Sequence, residues 1–354
     1  MRTRILAAVG AIVAAVLTPA TATAEEPWTV VAEGLNNPRG LAFAHDGALY
    51  VAESGRGGEG PCIPGPEGDE VCFGATGAIT RVAKGEQSRV ITGLPSIAGR
   101  DGSAALGPSD VDPQGHGGLY FTVGLGADPA VRNDLPPLGR NASGWLLRRH
   151  GHGGWKQVAD IGAFEAEQNP DGGLPDTNPN SVVATSAGQV VVDAGGNSLL
   201  RVFGRHAIRT LAVFDTRTID GQPVQSVPTS VVERDGAFYV GELTGFPFPP
   251  GKARVHRVVP GQGPRVIADG FTNIVDIAFD HKNRLYVLEI SHNGLLSGDP
   301  TGALIRVNHD GSRTIIAQEG LTMPGGLTIR DHEAYVSNCG VCPGGGTVVS
   351  IPLG

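Results

Sequence analysis

Oxygen-bearing side chains recur at one place in this chain, the end of a short apolar run. Glu53 closes Tyr-Val-Ala-Glu, Glu242 closes Tyr-Val-Gly-Glu and Glu289 closes Tyr-Val-Leu-Glu; Asn338 is the counterpart in Tyr-Val-Ser-Asn, and Asp193 ends Val-Val-Val-Asp one residue earlier in register. Arg39, Asp110, Asn180, Ser230 and Asp276 stand at the start of the preceding apolar runs. Carboxylates and amides gathered in this way are hard oxygen donors, suited to Ca²⁺ or Mg²⁺ rather than zinc. An ion held there would act as a Lewis acid on a bound oxygen and activate water. The same groups also have a use without any ligand, as acceptors for backbone N–H groups of a neighbouring repeat that strands leave unpaired.

A second, less regular segment runs from Asn169 to Asn180. Asp176, Asn178 and Asn180 alternate with Thr177 and Pro179, like the opening of a calcium loop, but Ser181 replaces the glycine of the sixth place and no glutamate follows at the twelfth. Short side chains of this kind also build Asx turns, and Asp193 with Asn197 can cap a turn in the same manner. Phe246 and Phe248 sit beside Glu242 in a chain with 5% aromatics. They are expected either to wall a pocket for a planar or apolar ligand or to fold over the core. No G-x-S-x-G or H-E-x-x-H pattern occurs, and His150 and His152 lie in an Arg-His-Gly-His turn that reads as exposed. No residue is therefore singled out as catalytic.

These positions are set by a phrase written six times, an apolar run, a polar turn and a second apolar run. Anchored on Pro38, Pro108, Pro179, Pro228, Ile274 and Pro324, the copies are 70, 71, 49, 46 and 50 residues apart, so the first two units carry insertions. Each unit continues into two further short strands, as in Arg254 to Val258 and Arg265 to Ala268. Four antiparallel strands cannot bury both faces alone, and radial packing around a channel is the solution open to them. The expected fold is all-β, a six-bladed β-propeller with four-stranded blades. The last copy lacks an outer strand while Trp28 to Ala32 lies unused before the first, so the N-terminal segment is expected to complete the final blade and remove two open edges. Entry loops of first strands and exit loops of second strands then open on one face around the channel mouth.

Arg2 and Arg4, the apolar run from Ile5 to Leu17 and Ala22-Thr23-Ala24 read as a secretory signal over residues 1–24, cleaved after Ala24, with residues 25–354 forming a single domain. No later run is long and uncharged enough for a transmembrane anchor. Gly 54 and Pro 26 in 354 residues signal many turns, and a net charge of -8 with no basic block argues against nucleic acid as a partner. In an exported protein Cys62 with Cys72, and Cys339 with Cys342, read as disulfides. The sequence leaves cross-connection of the two pairs open, along with zinc or redox roles.

The repeats resemble the NHL and SMP-30/gluconolactonase group of six-bladed propellers, through Val190 to Val202 in particular. The phrases PRGLAF, CFGATGAITRV, DTNPNSVV, VPTSVV, FYVGELTGFPFPPGKARVHRV and YVSNCGVCPGGG, spread over most of the chain after residue 24, resemble the ScyD/ScyE family of exported proteins. That likeness implies the fold, export and a place beside an extracellular biosynthetic pathway. SMP-30-like enzymes use a divalent centre of Glu and Asn/Asp residues, but no short motif here carries those ligands over residue by residue. Three functions follow as expectations. One is an exported propeller binding a small molecule, a protein partner or an ion at the mouth. The others are a divalent-metal lactonase or esterase with ligands drawn from Glu53, Asn180, Asp193, Glu242 and Glu289, and an accessory protein of an extracellular pathway.

Overall fold

In the computed structural model, residues 28–66, 68–114, 118–150 and 153–354 are described. The signal segment and His152 lie outside them. Six four-stranded antiparallel sheets stand as blades of a β-propeller. In chain order their first strands are Pro38–Phe43, Pro108–Gln114, Pro179–Thr185, Pro228–Arg234, Ile274–Phe279 and Gly326–Arg330.

Strand composition follows distance from the channel. Leu285–Glu289, the second strand of the fifth blade, is buried at every residue, whereas the outer strand Arg265–Phe271 of the fourth is mostly exposed. A strand covered by blades on both sides reads as a continuous apolar run, and one at the rim does not. Six buried clusters fill the six spaces between neighbouring blades. Between the first and second blades, for example, Tyr50 and Ile79 meet Phe121 and Leu147.

Ring closure takes the expected form. Thr29–Leu35 pairs antiparallel with Gly346–Pro352, so the first segment of the described chain is the outer strand of the last blade. It reaches three residues further than the sequence suggested, because Leu35 is fully buried between the sixth and first blades.

The long spacings of the first two units become structure over the mouth. In the first blade the third strand, Glu70–Ala83, extends beyond the sheet and pairs with Cys62–Pro64, placing Cys62 directly opposite Cys72. In the second, Pro129–Asp134 and Pro137–Ala142 form short helical turns between the second and third strands, and a helix over Ile161–Gln168 precedes the third blade. Both disulfides are local, Cys62–Cys72 and Cys339–Cys342, which settles the connectivity against cross-linking and occupies all four sulfurs. Among the described residues no helix is long and apolar enough to cross a membrane.

Candidate functional site

The residues that end the second strands hold the loops that enter the first strands. Glu53 accepts from the Asn36 amide at 2.8 Å, Asp193 from Asn178 at 2.6 Å, Glu289 from Thr272 at 2.7 Å and Asn338 from Thr322 at 2.8 Å. Each bond lies within one blade, not between neighbouring blades as the repeat pattern suggested. The register also differs from the sequence reading. Asp193 pairs with Pro179 as Glu53 pairs with Pro38, Glu242 with Pro228 and Glu289 with Ile274, so it stands at the equivalent position and not one residue earlier. The ladder there does not differ from the others, since the irregularity between Pro179 and Ser181 has its counterparts between Pro228 and Ser230 and between Ile274 and Asp276.

Second partners then differ from blade to blade. Glu53, fully buried, also takes Thr80 and both ends of the Arg89 guanidinium. Glu242 takes Arg217, the Ser226 hydroxyl at 2.7 Å and His256 Nε2 at 2.8 Å. Glu289 lies 2.5 Å from His292 Nδ1. Burial raises the Glu289 pKa, and the Thr272 amide and His292 oppose that rise.

A second ring lines the channel and stitches each blade to the next. Ser54 donates to the Pro108 carbonyl, Asp110 accepts from Ser181 Oγ and the Val182 amide, and Asn180 donates to Thr229 O. Thr229 in turn donates to Ile274 O, Asp276 accepts from the Leu327 amide and Ser337 donates to Arg39 O. Gly40 is needed here, because a Cβ would come within 2.1 Å of Asp110 Oδ1. Arg39 itself donates to Ala105 O, and Ser230 Oγ is buried without a partner. The channel is a cavity of about 280 Å³ that includes Asp110, Asp112, Glu233 and Asp276 in its lining.

Burial raises Asp110 to about 7 and Asp112 to about 6, and burial plus the charge of Asp110 pushes Asp276 well above the usual carboxylate range. A carboxyl whose folded pKa exceeds its unfolded value binds its proton more tightly in the folded state. Its stabilising contribution is complete below the unfolded pKa and lost as pH rises through the folded one. Thermal stability should therefore fall as pH rises from about 5 to about 8, and Asp110→Asn should flatten that slope. A melting temperature that rises over this range would contradict the assignment.

Off the axis, the loops of five blades enclose a larger cavity of about 580 Å³. Phe246 and Phe248 stand on one side, edge to face with ring centroids 6.0 Å apart, and Asp176 and Asn178 also line it. Phe246 is 72% exposed, so it is not folded over the core. Val227 is held at a φ of 50° in the wall, its amide bonded to Asn197 Oδ1 at 2.9 Å. The same positive φ recurs at the corresponding entry positions Asn37, Asn273 and Met323, so it belongs to the way the blades begin and not to the cavity.

Asp176 and Asn178 line this cavity, and the Oδ1 atom of each is buried without a hydrogen-bond partner, as is Glu165 Oε1. Sequence reasoning missed Glu165. It lies outside the repeated phrase, on a helix of eight residues, and only its approach to the third blade's entry loop makes it notable.

The structure thus brings Asp176 and Asn178 into one cavity with Phe246 and Phe248, while Asn180 faces the inner ring. It does not gather Glu53, Glu242 and Glu289. Among the described residues, one trio of His, Cys, Asp or Glu has ligand atoms within 4.8 Å of one another, Cys62, Glu70 and Cys72, and its two sulfurs are joined.

No family model matches the chain, and no curated protein sequence does. Solved structures do share the fold. A proposed oxidoreductase (glucose dehydrogenase) from Thermus thermophilus is 16% identical with a TM-score of 0.52, over 92% of this chain and 99% of that one. A protein of unknown function from Bacteroides thetaiotaomicron is 8% identical with a TM-score of 0.50, over 92% and 72%. A proposed 6-phosphogluconolactonase from Bacteroides uniformis follows at 15% identity and a TM-score of 0.44, over 86% and 78%. At these identities the similarity is one of fold alone.

Proposed function

We propose that this chain is an exported propeller that binds a small molecule with a planar, apolar body in the mouth cavity. The observation that carries the reading is the cavity itself, which joins two phenylalanines and two oxygen-bearing side chains from separate loops. A concave, largely apolar site with a few convergent polar groups is the usual anatomy of a small-ligand site. An exposed aromatic ring at its rim has no structural return unless a partner covers it. Two local disulfides support export, and the resemblance to the ScyD/ScyE family supports service to an extracellular pathway.

Calorimetric titration of a panel of planar aromatic amines and phenols tests this. Phe246→Ala should weaken binding roughly tenfold, a change of about 1.4 kcal/mol, with stability altered by less than about 0.5 kcal/mol because the ring is exposed. No binding by any member of the panel, or equal affinity in Phe246→Ala, would sink the reading.

A hydrolytic function for lactones or esters is supported by a different feature. Glu289 holds His292 by Nδ1, leaving a side chain 30% exposed, the arrangement of an oriented general base. Turnover of aryl esters or lactones abolished by His292→Ala would favour that reading over simple binding.

A further inference from the structure

We propose that Glu165, Asp176 and Asp193 form an off-axis site for one Ca²⁺ ion beneath the wall of the mouth cavity. The groups come from three separate segments: the helix Ile161–Gln168, the entry loop of the third blade and the end of its second strand. They converge on the Gly195-Gly196 turn. A Cβ on Gly196 would lie 2.6 Å from Glu165 Oε2 and 3.4 Å from Asp193 Oδ2, and one on Gly195 would lie 2.8 Å from Asp176 Oδ1. The absence of side chains at these two residues is what lets the carboxylates approach.

Glu165 is 1% exposed, yet its Oε1 has no hydrogen-bond partner, and the same holds for Asp176 Oδ1 and Asn178 Oδ1. Buried acceptors without donors are costly in isolation, and the two carboxylates among them, Glu165 and Asp176, stand beside one turn and share a single remedy, a cation. No ion pair among the described residues reaches Glu165, Asp171, Asp176 or Asp193. Asp171 is spoken for otherwise, by the Gly173 amide at 2.8 Å and Asn197 Nδ2 at 2.9 Å. Asp193 accepts from Thr177 Oγ1 at 2.7 Å and the Asn178 amide at 2.6 Å, which hold its carboxylate in place but leave lone pairs free.

The donors are all oxygens, which disfavours zinc. The three carboxylates do not bring one oxygen each within 4.8 Å of one another, so an ion must draw them together or reach one through water, which the variable shell of Ca²⁺ allows and the short octahedral bonds of Mg²⁺ do not. Glu165 supplies from a neighbouring helix the acidic ligand that the Asp176–Asn180 run lacks within its own sequence.

The test uses metal ions alone, so it does not depend on any organic ligand. Chelator-treated protein from residue 25 onward is titrated with CaCl₂ by calorimetry, and its melting temperature is measured without metal, in millimolar CaCl₂ and in millimolar MgCl₂. The expected result is one bound Ca²⁺ and a melting temperature several degrees higher in Ca²⁺, with a smaller response to Mg²⁺. Glu165→Gln, which removes a repelling charge, should melt at or above the parent without metal and lose the Ca²⁺ response. Asp176→Asn should weaken Ca²⁺ binding at least tenfold. Phe246→Ala should keep the full Ca²⁺ response, so failure of the ligand reading leaves this one standing and the reverse. No Ca²⁺ heat in the parent protein, or an undiminished Ca²⁺ response in Glu165→Gln, would overturn the proposal.

Discussion

A chain that begins at Asn36 should lose roughly 10 °C of melting temperature or fail to melt cooperatively, because the last blade is left with three strands. Thr29–Leu35 covers the edge of Gly346–Pro352 and inserts Leu35 and Ala32 among Leu41, Leu49 and Val348. Its loss removes a fully buried leucine, worth about 1.5–3 kcal/mol, and a ladder of hydrogen bonds worth about 1 kcal/mol each. The strand also ties the last blade to the first through Gln87, which bonds both the amide and the carbonyl of Glu33, and through Arg89 to Gly34 O. Against a total stability of about 5–15 kcal/mol, that sum is decisive. The exposed edge should also promote association, which light scattering would detect alongside calorimetry. A truncated protein that melts within a few degrees of the longer chain would show that the ring does not depend on this strand.

Glu53→Ala should destabilise the protein by about 3 kcal/mol, the low end for a broken buried pair because Arg89 keeps access to water. The carboxylate is fully buried and takes the Asn36 amide, Thr80 and Arg89, all of which lose their acceptor. Arg89 is 40% exposed, so replacing it alone is the harsher test of the geometry: Arg89→Ala leaves a carboxylate without water or counter-ion. The effect of Glu53→Ala should be the same in chelator and in millimolar Ca²⁺, since the bonds it breaks are internal. A loss of stability seen only when Ca²⁺ is present would instead assign Glu53 to a cation site. Calorimetry in the two buffers distinguishes these outcomes.

The recurring acids and the irregular loop behave differently for a physical reason. Glu53, Asp193, Glu289 and Asn338 recur because in four blades they satisfy a backbone amide in the loop that enters the first strand. Their periodicity was legible in the residue order, together with the type of group required. The partners beyond that amide were not: Arg89, Arg217, His256 and His292 come from outer or third strands, a loop hairpin or the following turn, and nothing in the repeat marks them. Asp193 shows the limit of counting along a strand. Its equivalence to the glutamates is fixed by strand pairing, in which it opposes Pro179 as Glu242 opposes Pro228.

The order of residues by itself determined the number of blades, the pairing within each and the closure by the N-terminal strand, because hydrophobic period, turn residues and repeat length are local properties of the chain. It also singled out Asp176, Asn178, Phe246 and Phe248 as departures from the repeat. Only the tertiary structure decided that these four residues line one cavity, that both disulfides are local and that Glu165 stands buried beside Asp176 and Asp193. The cavity joins loops of different blades that are far apart along the chain. Their meeting depends on how six sheets pack around an axis, a global geometry to which no single segment holds the key.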